Sequence, residues 1–230
     1  MVKLVFLCWR RPDIGHARYV ECLLRGHVPI ALAHHPTLRR YVVNVVEGTR
    51  GAGLEPAPAL DSIGELWFDS LADYRERLYD SPEGARIVAR DVAGFLGGAY
   101  AYVTTEHAPP SSASPPPLGV RSPGAKLVVC VTRASGLGRE EFRRHWRECH
   151  APRALRHAAA TGYVTSVVEE RLGEGGPDYD GVATLLFASD EACDGGLSGG
   201  SAGATGTVPD RARFLGTIHA YRVVEYVERG

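Results

Sequence analysis

The two halves of the chain are copies of one another, and this repeat constrains the fold more than any other feature. The segment KLVFLCWRR, which begins at Lys3, aligns with KLVVCVTRA, which begins at Lys126. The pairs that follow in order are Gly15 with Gly138, His27 with His150, Pro29 with Pro152, Tyr41 with Tyr163, Asp61 with Asp180, Asp91 with Asp210, and Phe95 with Phe214. Because order and spacing hold along both halves, the sequence predicts two homologous domains.

A proline- and serine-rich stretch separates the two copies. The segment APPSSASPPPLGVRSPG carries six of the 15 prolines in the chain. This composition favours an extended spacer over a helix or a strand ladder. We therefore expect a first domain at residues 1–107, a linker at 108–124 and a second domain at 125–230.

Hydrophobic periodicity predicts the same element order in each half. In the first half, KLVFLCW, LRRYVVNVV, SIGELWF and AYAYVTTEH are typical of strands, whereas HARYVECLL and the segment after SIGELWF have helical spacing. The order β-α-β-β-α-β is that of a ferredoxin-like domain, an α+β fold. Two such open sheets can cover one another, so we expect two fused ferredoxin-like domains that form an intramolecular dimeric α/β barrel.

The second copy differs from the first in one region. The first half has YRERLYDSPEGARIVAR, with Ser81 and Pro82 as a helix start, and the second half has CDGGLSGGSAGATGTVPDR. Each glycine costs a helix about 1 kcal/mol relative to alanine. We therefore predict a mobile glycine-rich loop at 195–206 in place of the second helix, either as a plain insertion or as a lid over a site.

Composition excludes several classes of protein. The chain is 44% apolar and 23% charged, with a net charge of -1, and it lacks a run of about 18 apolar residues. Dedicated nucleic-acid or membrane-surface binders usually carry a basic excess. Five scattered cysteines without a CxxC pair, and an N-terminus unlike a signal peptide, favour a reducing compartment. We expect a cytoplasmic protein without nucleic-acid or membrane partners.

Three segments resemble the EthD family: EEFRRHWRECHAP in the second half, and ARYVECLLRGHVP and GELWFDSLADY in the first. The resemblance covers about residues 3–107 and 126–229. It implies a dimeric α/β barrel, built here from two domains of one chain. Family members with assigned activity are mostly small enzymes without a metal or organic cofactor, such as lactone isomerases and polyketide cyclases or dehydratases.

The resemblance therefore implies a cofactor-independent enzyme of small-molecule, polyketide or other secondary metabolism. It would catalyse acid–base cyclisation, isomerisation or dehydration of a carbonyl-rich substrate, as a monomer with an internal pseudo-dimer or as a weak homo-oligomer. Two alternatives stay open. One is a cofactor-free monooxygenase of an aromatic polyketide, and the other is a metabolite-binding or carrier module without catalysis.

The main candidates for catalysis are the histidines of two His-x-Pro segments, His27 and His150. Pro29 and Pro152 remove a helical backbone hydrogen bond, so each histidine is expected at a helix irregularity from which its ring can point into a cavity. An imidazole can accept and return a proton near neutral pH. The structural alternative is a histidine that caps a broken helix.

Polar and aromatic side chains on the strands are expected to face the same cavity. Tyr41 and Asn44 lie on the second strand, and Glu65 and Trp67 share one face of the third. A glutamate on an apolar strand is costly to bury unpaired, so Glu65 is either a functional acid or an exposed edge residue. The second half has Thr184 and Leu186 at the positions of Glu65 and Trp67.

Four further residues are candidates for substrate binding. Tyr100 and Tyr102 alternate with alanines on the last strand, where a phenol could polarise a carbonyl or pack in the core. Trp9 and Arg10 end the first strand, and the arginine could steady an enolate or lie on the surface. The hypothesis is proton abstraction by His27, with the enolate stabilised by Tyr41, Arg10 or Glu65.

A metal or nucleotide site is not expected. The chain has no HExxH motif, no CxxC pair and no calcium loop, and its glycine-rich segments lack the other residues of a nucleotide loop. Five other histidines are expected to face solvent, with His34 and His35 nearest the mouth of the pocket. They are His16, His34, His35, His145 and His157.

Overall fold

Eight antiparallel strands, four from each half, close into a barrel. The computed structural model describes residues 1–49, 57–108, 116–157, 160–198 and 213–230. The strands are β1 (Val2–Arg10), β2 (Leu38–Thr49), β3 (Ser62–Phe68), β4 (Leu96–His107), β5 (Ala125–Arg133), β6 (Gly162–Leu172), β7 (Gly181–Phe187) and β8 (Leu215–Arg229). Their order around the barrel is β1-β3-β2-β8-β5-β7-β6-β4. The predicted strands of the first half are confirmed.

Helices pack against the outer face of this barrel. They are α1 (His16–Glu21), α2 (Val28–His34), α3 (Leu71–Arg77), α4 (Pro82–Ala93), α5 (Arg139–His145), α6 (Ala151–His157) and α7 (Asp190–Ser198). The predicted start at Ser81 is confirmed, because its hydroxyl accepts a hydrogen bond from the Gly84 amide and Pro82 begins α4. In the described part of the chain, no helix is long and apolar enough to span a membrane.

The repeat seen in the sequence is reproduced in the strand register. Val5 of β1 pairs with Glu65 of β3, and the aligned residues Val128 and Thr184 pair in the same way between β5 and β7. An ion pair is repeated as well. Arg10 binds Asp61 after β1, and the aligned arginine and aspartate, Arg133 and Asp180, form the matching pair after β5.

The two halves are joined by strand ladders and by two matching tyrosine hydrogen bonds. Strand β2 pairs with β8, and β4 pairs with β6. The Tyr102 hydroxyl of the first half donates to the Pro177 carbonyl of the second at 2.9 Å. The Tyr221 hydroxyl of the second half donates to the Pro58 carbonyl of the first at 3.2 Å. Each half therefore supplies the carbonyl that accepts a hydrogen bond from a tyrosine of the other half.

The only two lysines of the chain, Lys3 and Lys126, are buried inside the barrel. The Glu65 carboxylate lies between them, 2.6 Å from the Lys3 ammonium and 2.9 Å from that of Lys126. Lys3 also binds Glu106, and Lys126 binds Glu225. We call these five residues the barrel ion network. Burial would raise the pKa of Glu65, but Lys126 and Lys3 outweigh burial and hold that pKa below its usual value.

The end of the linker differs from the predicted spacer. The Gly119 amide donates to the Val227 carbonyl and the Ser122 amide to the Glu225 carbonyl, each at 2.8 Å. The linker thus lengthens the ladder along β8 just before β5 begins. The prediction that it could hold no ladder is wrong here, because a strand edge was available to pair with its non-proline residues. Residues 109–115 lie outside the described part.

The first residues of the predicted loop at 195–206 are helical. Helix α7 continues through Gly195 and Gly196 to Ser198, so the first part of that prediction is wrong. Its start is capped by the Ser189 hydroxyl, and Cys193 is fully buried against the barrel, which offsets the helical cost of glycine. Residues 199–212 lie outside the described part of the structure.

Candidate active site

A cavity of about 210 Å³ lies in the first half, between the outer face of the sheet and the covering helices. We call it the His27 cavity. Most of its wall is apolar, and the side chains responsible include Phe6, Leu23, Val43, Leu66, Val88, Val92 and Phe95. An apolar wall lowers the local polarity, so the few polar groups that reach the cavity interact strongly with a ligand.

The prediction that His27 lies at a helix irregularity is confirmed. Residues Cys22–His27 form a π-helical segment between α1 and α2, and Pro29 follows in the first turn of α2. The ring packs on Phe95, with centroids 5.6 Å apart. Its Nδ1 lies 2.8 Å from the Asp91 carboxylate of α4. Because a carboxylate can only accept, Nδ1 carries the hydrogen, and the neutral form of the ring therefore has its lone pair on Nε2.

Asp91 was not among the residues predicted for the site. It is 64 positions from His27, and only the tertiary packing of α4 beside the π-helical segment joins them. One signal was present in the sequence, because the repeat aligns Asp91 with Asp210. Asp210 lies outside the described residues, so the matching contact in the second half is not described.

The Tyr41 phenol lies in the same cavity as His27. Burial raises the pKa of Tyr41, with smaller effects of Cys8 and Glu228, so the hydroxyl stays protonated at neutral pH. Among the residues that the structure describes, none accepts a hydrogen bond from it. A protonated, buried and unpartnered phenol is a donor available to a ligand oxygen.

Three other polar groups in the cavity are already satisfied or unreactive. The Tyr19 hydroxyl and the Ser62 hydroxyl share a hydrogen bond of 2.7 Å. Burial raises the pKa of the Cys8 thiol to about 12, although its hydrogen bond with Ser62 acts in the opposite direction. At neutral pH Cys8 is therefore a neutral thiol and not a nucleophile.

His35 does not face solvent, contrary to the prediction. It lies in the wall of the His27 cavity and is only 6% exposed, because α2 turns its last residues toward the helices that follow β3. Its Nδ1 donates to the Leu78 carbonyl at 3.1 Å, and its ring packs on Tyr79. Burial lowers the pKa of His35, so it is a neutral imidazole at neutral pH.

Glu65, Trp67 and Asn44 do not reach the His27 cavity. Alternate side chains of a strand point to opposite faces, and on β3 the face with Glu65 and Trp67 is the barrel interior. The Asn44 amide donates to Glu65 at 2.8 Å, and Trp67 packs over the Lys3 ammonium at 4.8 Å. The expectation that these residues share a cavity with His27 is therefore wrong.

Trp9, Arg10, Tyr100 and Tyr102 also lie outside the cavity. Trp9 packs on Tyr100 with ring centroids 4.8 Å apart, and Tyr102 is used in the hydrogen bond between the two halves. Arg10 is bound to Asp61 and to a backbone carbonyl. These contacts are structural, so the sequence-based assignment of the four residues to substrate binding has no geometric support.

In the second half, the matching space is filled by a tryptophan. Trp146, at the position of Leu23, is 1% exposed, and its Nε1 donates to the Tyr163 hydroxyl at 3.1 Å. His150 is buried beside Phe214, with ring centroids 4.8 Å apart. Of the two predicted histidines, His27 lines the cavity, whereas His150 is buried.

The fit of Trp146 depends on Gly181. A Cβ atom at Gly181 would lie 2.0 Å from the indole ring. We expect Gly181→Ala to destabilise the protein by about 1–3 kcal/mol through overpacking, measured by urea unfolding. The control is Gly64→Ala, because a Cβ at Gly64 meets its neighbours at ordinary distances of 3.5 and 3.7 Å. Equal losses in both variants would contradict the prediction.

Among the described residues, no group of three or more histidine, cysteine, aspartate or glutamate side chains is placed to hold a metal ion. The polar groups of the His27 cavity are two imidazoles, four phenols, one aliphatic hydroxyl and one thiol. Such a set can move a proton and donate hydrogen bonds to a ligand without further groups.

The sequence profile of the EthD domain matches the chain twice, at residues 11–99 and 134–217. The chain belongs to the EthD family. The two matches agree with a tandem arrangement of two EthD-like regions, one in each half. None of the curated proteins compared with the chain matches it in sequence.

Solved structures with the same fold cover nearly the whole of this EthD protein. An anthrone oxidase-like protein covers 99% of the chain and 92% of its own length, with a TM-score of 0.60 and 12% identity. A proposed monooxygenase from Fusobacterium nucleatum covers 99% and 94%, with a TM-score of 0.62 and 5% identity. A proposed monooxygenase from Lactobacillus acidophilus covers 99% of the chain and 96% of its own length, with a TM-score of 0.53 and 10% identity. At these identities the likeness shows the dimeric α/β barrel fold.

Proposed function

We propose that this EthD protein is a cofactor-independent enzyme that moves protons on a carbonyl-containing small molecule. One observation carries the proposal: His27, which is paired with Asp91, and the protonated Tyr41 both line a single apolar cavity. A base held by a carboxylate, and a donor placed for an oxygen, are the two groups that enolisation needs.

The reaction would begin when His27 Nε2 takes a proton from a carbon next to the carbonyl. The electron pair of that C–H bond moves onto the carbonyl oxygen, and the Tyr41 hydroxyl donates a hydrogen bond to the enolate. Asp91 keeps the imidazole in the required tautomer and stabilises the imidazolium. The proton then returns to another carbon, which gives isomerisation, or to a leaving hydroxyl, which gives dehydration. Attack of the enolate on a second carbonyl gives cyclisation.

The size of the cavity narrows the substrate. A cavity of about 150 Å³ takes up benzene, so one of about 210 Å³ suits a substituted single ring or a compact two-ring compound. Its apolar wall favours an aromatic or polyketide-derived ring with a few carbonyl or hydroxyl groups. Such compounds are typical of secondary metabolism.

The two halves have different tasks in this proposal. We propose that 1–107 and 125–230 are two ferredoxin-like domains, that the first holds the site, and that the second completes the barrel. The strand orders β4-β1-β3-β2 and β8-β5-β7-β6 support this division. Because the barrel closes within one chain, we expect a monomer. The five free cysteines favour a reducing compartment, so we expect a cytoplasmic location.

Deuterium exchange tests the proposed reaction directly. One-ring keto acids, lactones and hydroxylated aromatic ketones are incubated with the protein in D₂O and followed by NMR. We expect deuterium to enter next to the carbonyl, and Tyr41→Phe to slow this exchange by about 10²–10³-fold, the usual effect of losing an oxyanion donor.

The matched control is Tyr100→Phe, which removes a phenol outside the cavity and is expected to leave the rate unchanged. Oxygen is measured in the same samples. Consumption of oxygen with a hydroxylated product would favour the monooxygenase alternative. Tight binding without exchange by any compound would favour a carrier module instead.

A further inference from the structure

The second half keeps the positions that form the His27 cavity. His150, Tyr163 and Phe214 stand at the positions of His27, Tyr41 and Phe95, in the same order along the chain. His150 contacts Phe214 and Tyr163 through its ring, as His27 contacts Phe95. The framework of the site is therefore present twice.

Two coupled differences decide which copy is open. The first half pairs Leu23 with Ser62, and the second half has Trp146 and Gly181 at these positions. A Cβ at Gly181 would lie 2.0 Å from the indole, so the large ring needs the smallest residue opposite it. The indole occupies the space that stays open beside Leu23.

The indole also uses the hydrogen-bonding group of the site. In the first half, the Tyr41 hydroxyl has no partner among the described residues. In the second half, the Tyr163 hydroxyl accepts a hydrogen bond of 3.1 Å from Trp146 Nε1. The ring is therefore packed among apolar side chains with a polar edge atom on the tyrosine, which is the arrangement of a bound aromatic ligand.

We propose that Trp146 is an internal ligand that fills a second copy of the site, and that it indicates what the His27 cavity binds. The ligand of the His27 cavity is then a planar aromatic ring system with a hydrogen-bonding atom at the edge that meets Tyr41. This inference rests on the proposed function only in taking the His27 cavity as the binding site.

Counting bound indole tests the inference. Indole is titrated into the full chain and followed by calorimetry and ligand-detected NMR. The wild-type protein is expected to bind one indole. Trp146→Leu, which copies Leu23 into the second half, is expected to bind two. The double variant Leu23→Trp/Ser62→Gly copies the Trp146–Gly181 arrangement into the first half and is expected to bind no indole.

Each outcome decides the inference. A wild-type protein that binds no indole, or a folded Trp146→Leu variant that binds no more than wild type, overturns it. If Trp146→Leu does not fold, the double variant decides alone, and retention of the wild-type indole overturns the inference. The two proposals fail separately: if no compound exchanges deuterium while the indole counts are as expected, the proposed reaction is overturned and this inference stands.

Discussion

Replacement of His27 by alanine is expected to lower kcat/KM by about 10²–10⁴-fold, which is the usual contribution of a positioned acid–base group. The variant removes the imidazole that Asp91 holds at the cavity, so the proton loses its positioned acceptor. Ligand affinity should change little, because apolar side chains make up most of the wall. Steady-state kinetics with the substrate found by deuterium exchange would measure the effect.

The repeat offers a matched control for this experiment. His150→Ala makes the same change at the aligned position in the second half, where Trp146 fills the space. We expect its kcat/KM to stay near that of the wild type. If His150→Ala loses activity and His27→Ala keeps it, the working site is in the second half and the proposed function must be revised.

Replacement of Lys126 by methionine is expected to reduce the free energy of unfolding by about 3–5 kcal/mol. Lys126 is buried between Glu65 and Glu225, at 2.9 and 2.5 Å. Without it, three carboxylates would share the single ammonium of Lys3 inside the barrel. A buried charge without a partner raises the free energy of the folded state. Methionine has nearly the size and shape of lysine, so the packing around position 126 is kept. Urea unfolding at pH 7 measures the loss.

The loss should depend on pH in a defined direction. The folded pKa of Glu65 is held below its usual value of 4.5, so the network stabilises the fold fully above that pH. As the pH falls below this value, the stabilisation is lost in the wild type, and the difference from Lys126→Met should shrink. A difference that grows in acid would contradict the assignment.

An exposed ion pair provides the control for Lys126→Met. Arg75 of α3 binds Glu170 of β6, and both side chains are about half exposed. We expect Arg75→Met to change the free energy of unfolding by about 0–1 kcal/mol, because solvent screens surface charges. Losses of equal size in the two variants would show that burial is not the cause.

The sequence predicted much of the fold and part of the site. The repeat and the two-residue periodicity placed the strands, and Pro29 indicated that the helix is irregular at His27. Tyr41 and His27 were assigned to one cavity, as the structure has them. These features are local or repeated, so the order of residues along the chain is enough to reveal them.

Other features depend on contacts between distant parts of the chain. Periodicity showed that Glu65 and Trp67 share a face, but it could not say whether that face meets the helices or the barrel interior. The lysine that binds Glu65 from the other half is 61 residues away, and Asp91 is 64 residues from His27. The replacement of Leu23 by Trp146 is visible in the aligned sequence, yet its effect depends on the space beside Gly181.

The burial of both lysines also separates the chemistry of the surface from that of the interior. Arginine supplies all the other basic side chains apart from histidine, and arginine does not react as an amine. Reagents that modify primary amines therefore reach neither lysine while the barrel is closed. Chemical labelling of either lysine would therefore report that the barrel has opened.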